Sequence, residues 1–222
     1  NTVAGAGLWG VVVQSGSGSK NTLTGNSVQT SRYDGMLIYS PVTLVSNTVS
    51  NNGRYGIWLN GSGGHTLTNN TVQDNKNYGI YLGSSSGNLL TGNTSGNSAS
   101  ASPRFQTIGI SLSGSNNNRL ENNNTSNNSF HGVYLQSAAG NTITGTTSSD
   151  NQRGIYLSNS PPQIGGGAIN SIIDNKTINN NTGYGILVEF SDGNLVSGNA
   201  FSGNNIGLAF WGADLNEAVN NS

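Results

Sequence analysis

Hydrophobic and polar residues alternate in a short phrase that returns along the whole chain. Each copy is a glycine, an aliphatic residue, a variable residue and a second apolar residue, as in Gly79-Ile-Tyr-Leu82. This alternation predicts a short β-strand with one buried face. Nine copies begin at Gly10, Gly35, Gly56, Gly79, Gly109, Gly132, Gly154, Gly185 and Gly207.

The spacing of these copies predicts a solenoid. Successive copies are offset by 25, 21, 23, 30, 23, 22, 31 and 22 residues. A period in this range is typical of proteins in which each repeat buries its apolar face only against its neighbours. We therefore expect one elongated domain of about nine turns over residues 1–222, although the length alone would allow two domains.

Two further phrases keep step with the first. One places an aliphatic residue two positions after an asparagine, as in Asn21-Thr-Leu23, and the other follows directly, as in Asn47-Thr-Val49. Three short strands per turn, with like strands stacked at roughly 4.8 Å, give an all-β coil of three parallel sheets. The phrases that contain Gly79, Asn21 and Asn47 form the first, second and third sheets, respectively.

Asparagine recurs at a fixed position after the third phrase and predicts a ladder inside the coil. A side-chain amide can donate to one neighbouring turn and accept from the other, so stacked amides satisfy one another. The alternative, that asparagine is frequent because loops are polar, does not explain its constant phase. The predicted ladder consists of Asn52, Asn75, Asn128, Asn151, Asn180 and Asn204.

Composition excludes several classes of partner. Charged residues make up 8% of the chain and the net charge is −1, which leaves no basic surface for nucleic acid or anionic membranes. No apolar run is long enough to cross a bilayer. Cysteine is absent, which excludes disulfides and thiolate metal sites. The sequence thus predicts no nucleic-acid partner, no membrane insertion and no transition-metal site.

The ends of the chain carry no recognisable polar cap. Residues 1–3 already follow the pattern of the repeat, and residues 216–221 repeat the pattern of residues 194–199. Solenoids normally cover their terminal turns, and open strand edges favour pairing with another chain. We therefore expect either a fragment or processed part of a longer protein, or a homo-oligomer that stacks end to end.

The three phrases resemble the repeats of the right-handed parallel β-helix superfamily, the pectate-lyase-like group, in which Asn-x-Ile-x-x-Asn alternates with Gly-Ile-x-Leu. The resemblance covers nearly the whole chain and implies a right-handed coil. The superfamily includes polysaccharide lyases, galacturonan hydrolases, mannuronan epimerases, phage tailspikes, adhesins and periplasmic copper-processing proteins. The resemblance therefore implies a fold without assigning a function.

The catalytic motifs of these enzymes are mostly absent. Where mannuronan epimerases have Asp-Pro-His, the nearest segment is Tyr33-Asp34-Gly35, and of the galacturonan-hydrolase motifs only His131-Gly132 is present. Copper processing would require Met, His or Cys ligands, and the chain has one Met, two His and no Cys.

Carboxylates and a small polar group supply the candidates for catalysis. Asp192 and Asp214 occupy equivalent corners of adjacent turns, which predicts a separation of roughly 5 Å, as in a retaining glycosidase. Glu189 lies near Asp192 in sequence and is a candidate third acid or calcium ligand. The alternative is that these acids form turns and bind water. His131 and Arg153 precede the repeat glycine on neighbouring turns and form a modest polar cluster.

Aromatic residues form a column on the outward side of the first sheet. They stand two positions after a repeat glycine or directly before one. A ladder of rings suits stacking on sugar faces or burial against another protein, whereas the alternative is that aromatic residues simply favour strands and pack on each other. The candidates for ligand binding are Trp58, Tyr81, Tyr134, Tyr156, Tyr55 and Tyr78.

Two functional hypotheses follow. The first is a non-enzymatic, extracellular or cell-surface β-helix that forms fibres and contacts a polysaccharide or a surface protein through its aromatic face. The alternative is a carbohydrate-active enzyme, or a fragment of one, that acts as a lyase, hydrolase or epimerase. No cofactor other than calcium is expected in either case.

The ladder predicts that asparagine contributes more to stability than the acids do. Asn128→Ala should lower the free energy of unfolding by about 1–3 kcal/mol, because neighbouring amides lose their partners in the interior. Asp192→Ala should lower it far less. Chemical denaturation of the two variants tests this, and a larger loss in Asp192→Ala would instead indicate a structural metal or buried pair at that corner.

Overall fold

The computed structural model describes residues 1–14, 20–98, 105–160 and 169–222. Within these ranges the chain forms 25 short strands and no helix, hence no helix of the length and hydrophobicity that a membrane span requires. Every strand pair is parallel, and each strand stacks on the equivalent strands of the preceding and following turns. The predicted all-β solenoid of about nine turns and three parallel sheets is confirmed.

The strands of the three sheets have the following bounds. The first sheet contains Val11–Val13, Met36–Ile38, Ile57–Asn60, Tyr78–Gly83, Ile108–Ser113, His131–Gln136, Arg153–Ser158, Tyr184–Glu189 and Ile206–Trp211. The second contains Asn21–Thr24, Val42–Val45, Thr66–Thr68, Leu89–Thr91, Arg119–Glu121, Thr142–Thr144, Ser171–Ile173, Leu195–Ser197 and Glu217–Val219. The third contains Thr2–Ala4, Ser27–Gln29, Thr48–Ser50, Thr71–Gln73 and Thr94–Gly96, and continues through isolated bridges to the pair Ile178–Asn179 and Phe201–Ser202.

The core consists of aliphatic columns in strict register. Ile80 pairs with Ile57 on one side and with Ile110 on the other, and Leu82, the next inward residue, pairs with Leu59 and Leu112. These side chains are fully buried, within one cluster that extends from Val28 to Val196. Because a shift by one residue would turn every inward side chain outward, burial of these columns fixes the register of the outer face as well.

Asparagine completes the interior in three ladders rather than the one predicted. Each corner between sheets has its own column of amides, in which Nδ2 of one turn donates to Oδ1 of the next. Representative steps are Asn52 to Asn75 at 2.9 Å, Asn47 to Asn70 at 2.9 Å, and Asn88 to Asn118 at 2.7 Å. The backbone N–H of the donor residue reaches the same oxygen, so one amide satisfies both groups of its neighbour.

The prediction for Asn180 is wrong by one residue. The ladder amide of that turn belongs to Asn181, which accepts from the backbone N–H of Asn151 at 3.0 Å and donates to Oδ1 of Asn204 at 2.9 Å. The third segment of this turn is one residue longer, so Ile178 is buried and Thr177 is not. Burial of the larger apolar side chain decides the register.

Other side chains also take asparagine positions in the ladders, among them Gln106 and His65. Gln106 bridges Asn75 and Asn128, with its Nε2 3.0 Å from Oδ1 of Asn128. His65 stands where the repeat has asparagine and is 1% exposed. Its Nδ1 accepts from the backbone N–H of Val42 at 3.2 Å, so the proton is on Nε2, which lies 3.1 Å from the carbonyl oxygen of Ser62.

The corners use left-handed backbone conformations, which explains the abundance of Asn and Gly. Asn122 has φ of 52° and the equivalent residue of the next turn is Gly145 with φ of 60°. A Cβ on Gly145 would overlap Oδ1 of Asn122. Asparagine tolerates this conformation and glycine adopts it freely, so the two residues can alternate along a corner.

We expect the shifted ladder to be visible in stability. Asn181→Ala removes a buried amide and should lower the free energy of unfolding by about 1–3 kcal/mol. Asn180 is exposed and has φ of 54°, so Asn180→Gly keeps the backbone conformation and should change stability little. Urea denaturation of the two variants decides between the residues, and the opposite ranking would restore the ladder to Asn180.

Candidate functional site

The outward side chains of the first sheet form a continuous surface, which we call the outer face. Its central column, two residues after each repeat glycine, is aligned by direct strand pairing from Trp58 through Tyr81, Ser111 and Tyr134 to Tyr156. The predicted aromatic column is therefore present. A second column, directly before the glycines, includes Asp34, Tyr55, Tyr78, Ile108, His131, Arg153 and Tyr184.

Four rings pack together at one end of the outer face. Tyr55, Trp58, Tyr78 and Tyr81, here called the aromatic group, lie on two adjacent turns. Tyr55 and Tyr78 are stacked, with ring centroids 5.1 Å apart and an interplanar angle of 16°. Tyr81 contacts both of these rings and Trp58, at 5.0–6.0 Å.

The orientation of these rings changes what they can offer a ligand. Two parallel rings lying flat in the plane of the sheet would clash at the spacing of adjacent strands, so Tyr55 and Tyr78 stand upright and stack along the solenoid axis. Each ring covers one face of the other. The aromatic group therefore presents ring edges and phenol hydroxyls to a ligand rather than the flat platform for sugars that the sequence suggested.

Arg54 is fixed beneath this group. Its guanidinium forms an ion pair with Asp34, whose side chain is fully buried, and lies 4.8 Å from the ring centroid of Tyr55 and 4.7 Å from that of Trp58. The hydrogen bond to Asp34 raises the pKa of Arg54. Because the charge of Arg54 is already matched by a carboxylate, it orders the aromatic group and is not free to pair with an anion.

A second assembly, the polar cluster, consists of His131, Tyr134, Arg153, Tyr156 and Glu189. Tyr134 and Tyr156 are stacked with centroids 5.0 Å apart, and the ring of His131 lies 5.3 Å and 5.1 Å from theirs. The guanidinium of Arg153 lies 4.9 Å from the centroid of Tyr156. The hydroxyl of Tyr156 donates a hydrogen bond to Glu189 on the next turn.

Burial sets the protonation states of the polar cluster. Burial, and after it the positive charge of Arg153, lower the pKa of His131 to about 4, so His131 is neutral at pH 7. Burial also raises the pKa of Tyr134 and of Tyr156, which keeps both hydroxyls protonated as donors. Only the turn of Ser111 lies between the aromatic group, which ends with Tyr81, and the polar cluster, which begins with Tyr134.

Several buried polar atoms of the outer face have no protein partner. Within the described ranges these include Nδ1 of His131, Nε of Arg153 and Nε1 of Trp58. Buried polar groups in folded proteins are usually paired, and an unpaired one in a surface site is commonly satisfied by water or a ligand. The three atoms therefore leave unused hydrogen-bonding capacity just below the outer face.

The structure separates the acids that the sequence grouped together. Asp192 and Asp214 do lie at equivalent corners of adjacent turns, and Oδ1 of Asp192 accepts from the backbone N–H of Asp214 at 2.7 Å, as a turn-forming residue would. Glu189 instead faces Tyr156. Among the described residues, no three His, Cys, Asp or Glu side chains gather in a way that could hold a metal ion, so calcium binding stays a prediction from the sequence alone.

Sequence reasoning missed the roles of Arg54 and Asp34. Their spacing of 20 residues is close to one repeat, and Tyr55, which also donates its backbone N–H to Asp34, is 21 residues away. Comparison of each residue with the one a full turn later would have placed the two charges side by side. The polar cluster was found in part, because His131 and Arg153 share the position before the glycine.

The chemistry available here is proton transfer and anion binding. The outer face carries one cation without a carboxylate partner in the described structure, Arg153, together with neutral hydroxyl donors and a neutral imidazole. Its two acids, Asp34 and Glu189, lie six turns apart, roughly 29 Å at one strand spacing per turn. That separation excludes them as the paired carboxylates of a glycosidase.

Comparison with known proteins identifies a family. The family described as "Right handed beta helix region" matches residues 1–102 and 40–176. A second family, "Periplasmic copper-binding protein (NosD)", matches residues 164–222. No curated protein matches the sequence.

Several solved structures share the fold. A variant of the periplasmic alginate epimerase AlgG is 16% identical with a TM-score of 0.64, and the alignment covers 100% of this chain and 49% of AlgG. The Azotobacter vinelandii mannuronan C-5 epimerase AlgE4 A-module is 15% identical with a TM-score of 0.67, over 90% and 60% of the two chains. Pectate lyase Pel9A is 12% identical with a TM-score of 0.50, over 96% and 69%. The chain thus spans about half the length of the alginate epimerase.

Titration of His131 should make the protein less stable in acid. The pKa of His131 is about 4 in the folded chain and about 6.5 when unfolded. Between these values the unfolded state binds more protons, so the free energy of unfolding falls as the pH falls from about 6.5 towards 4, by about 1–3 kcal/mol.

Urea denaturation of the wild type and of His131→Gln at pH 7.5 and pH 4.5 measures this loss. His65, whose pKa burial also lowers, contributes in the same direction in both proteins and cancels in the comparison. An equal loss of stability in wild type and His131→Gln would contradict the assignment.

Proposed function

The chain belongs to the family of right-handed beta helix regions, and from that premise we propose that it is a carbohydrate-active protein that binds an acidic polysaccharide along the outer face of its first sheet. The polar cluster is the observation that carries the proposal. It is the place on the outer face where a cation, a neutral imidazole and a hydrogen-bonded tyrosine–carboxylate pair come together.

The charge and donor pattern favours an acidic ligand. Arg153 has no carboxylate partner in the described structure, whereas Arg54 is paired with Asp34. Burial raises the pKa of Tyr55, Tyr78, Tyr134 and Tyr156, which keeps a row of hydroxyls as donors. A surface that offers a guanidinium and many O–H groups matches a ligand rich in carboxylates and hydroxyls, such as a polyuronate.

The same groups suit removal of a proton next to a sugar carboxylate. Arg153 pairs with that carboxylate and stabilises the negative charge that develops on it when the neighbouring carbon loses its proton. The neutral imidazole of His131 accepts the proton, and the hydroxyl of Tyr156, which is hydrogen-bonded to Glu189, supplies one. Return of a proton to the opposite face inverts the carbon, and loss of the glycosidic oxygen from the adjacent carbon cleaves the chain.

Hydrolysis by paired acids fits less well. It requires two carboxyl groups about 5–9.5 Å apart across the scissile bond, and Asp34 and Glu189 are too widely separated. Asp192 and Asp214 are adjacent, but they lie at a corner outside the columns of the outer face. Their role as catalytic residues remains an expectation from the sequence.

The relatives support this proposal over the first hypothesis. The solved structures that share the fold are named as alginate epimerases, a mannuronan C-5 epimerase and a pectate lyase, all of which act on polysaccharides. Their names, and the periplasmic family that matches residues 164–222, also support export from the cytoplasm. A non-enzymatic fibre and end-to-end stacking draw no comparable support.

Binding measurements test the proposal directly. Wild type should bind polymannuronate or polygalacturonate more tightly than a neutral glucan, and Arg153→Gln should lower the affinity for the acidic polymer by about 10- to 100-fold through loss of a charge-assisted contact. Calorimetry gives the affinities. Ultraviolet absorbance of unsaturated products and NMR of inverted sugar residues report the two reactions.

Arg119→Gln is the matched control, because Arg119 lies on the second sheet, is 68% exposed and pairs with Glu121. It should leave polyuronate binding unchanged. Equal affinities for the acidic polymer and the neutral glucan, or an Arg153→Gln variant that binds as wild type does, would overturn the proposal.

A further inference from the structure

We infer that Phe190 is an aromatic subsite for one sugar ring of the polysaccharide, at the edge of the outer face beside Glu189. The inference rests on the proposed function and adds to it a residue that holds the substrate next to the polar cluster. Phe190 directly follows Glu189, the acceptor of the Tyr156 hydroxyl, and is 59% exposed.

The backbone of Phe190 is the first observation. Its φ is 46°, in the left-handed region. The non-glycine residues that share this conformation in the described ranges are polar, with two exceptions, Phe190 and Leu215. A bulky side chain is disfavoured there, and residues held in such conformations are concentrated at functional sites.

The corner column that contains Phe190 shows that the fold does not require an aromatic residue. The equivalent position is glycine, serine or asparagine on every other described turn from the third onwards. The column reads Gly61, Ser84, Gly114, Ser137, Asn159, Phe190 and Gly212. Asn159 satisfies the same backbone conformation one turn earlier, with φ of 47°, so asparagine at position 190 would preserve the corner.

The ring of Phe190 packs against the backbone of the next turn at Gly212. A Cβ on Gly212 of the next turn would lie 2.8 Å from Cε1 of Phe190. The glycine therefore leaves room for the ring to extend along the solenoid axis, over the neighbouring turn. One edge of the ring rests on backbone while much of its surface stays in contact with solvent.

The surroundings identify the occupant as a pyranose ring. An exposed aromatic ring binds the apolar C–H face of a sugar, whose hydroxyls then need polar partners around the edge. Glu189 and Asn159 supply them. Asn159 occupies the corner position one turn before Phe190, and the buried Ser158, which accepts from Nδ2 of Asn159 at 3.1 Å, pairs with Glu189 in the strand register. An apolar protein partner would bury the carboxylate of Glu189 and the amide of Asn159 away from water.

Phe190→Asn separates a binding role from a packing role. The variant places in this corner the residue that Asn159 already provides, so its melting temperature should equal or exceed that of the wild type. Its affinity for a polyuronate hexasaccharide should fall about three- to tenfold, the effect of one aromatic contact. Affinity for a disaccharide bound at Arg153 should not change, and Phe190→Trp should retain hexasaccharide binding. Calorimetry and thermal denaturation give both quantities.

Leu215→Asn is the matched control, because Leu215 is the other apolar residue with a left-handed backbone, at φ of 57°, and is 90% exposed. Leu215→Asn should relieve the same kind of backbone strain and leave the affinity for the hexasaccharide unchanged. A Phe190→Asn variant that binds as wild type does, or that melts well below it, overturns the subsite while the proposed function stands. A wild type that binds no polyuronate overturns both.

Discussion

Parallel stacking of one turn on the next at a single spacing is the constraint on which the rest of this structure depends. It converts every position of the repeat into a column, so a side chain in the interior has its own equivalents as neighbours. A column of aliphatic side chains is buried without the loss of any hydrogen bond. A polar column is tolerated only where each group can both donate and accept, as in the step from Asn52 to Asn75. Asparagine therefore fills the three corners of the interior.

The fold could be predicted from the sequence because the period of the repeat also determines which residues of neighbouring strands pair. The alternation in Gly79-Ile-Tyr-Leu82 specifies which side chain is buried, and the repeat of the phrase specifies its neighbours. The error at Asn180 has a physical cause, since one extra residue in that turn lets Ile178 replace Thr177 in the core. The two further ladders were missed because their asparagines begin or end a strand phrase and resemble turn residues.

The candidate site was predictable only where it follows the columns. The aromatic column and the pairing of His131 with Arg153 depend on strand register alone. The upright stacking of Tyr55 on Tyr78 and the ion pair of Arg54 with Asp34 depend on side-chain conformations, which periodicity does not specify. Glu189 was grouped with Asp192 because they are close in sequence, but it is the last residue of its strand and its side chain faces Tyr156.

The turn that separates the aromatic group from the polar cluster makes their distance adjustable. Strand Ile108–Ser113 contributes small or buried residues to the outer face, and its inward residues are interchangeable with those of its neighbours. Duplication of that one repeat in the gene would move the two assemblies apart by roughly 4.8 Å and leave each of them intact, and its deletion would bring them together. The number of intervening repeats thus sets the distance between the two assemblies.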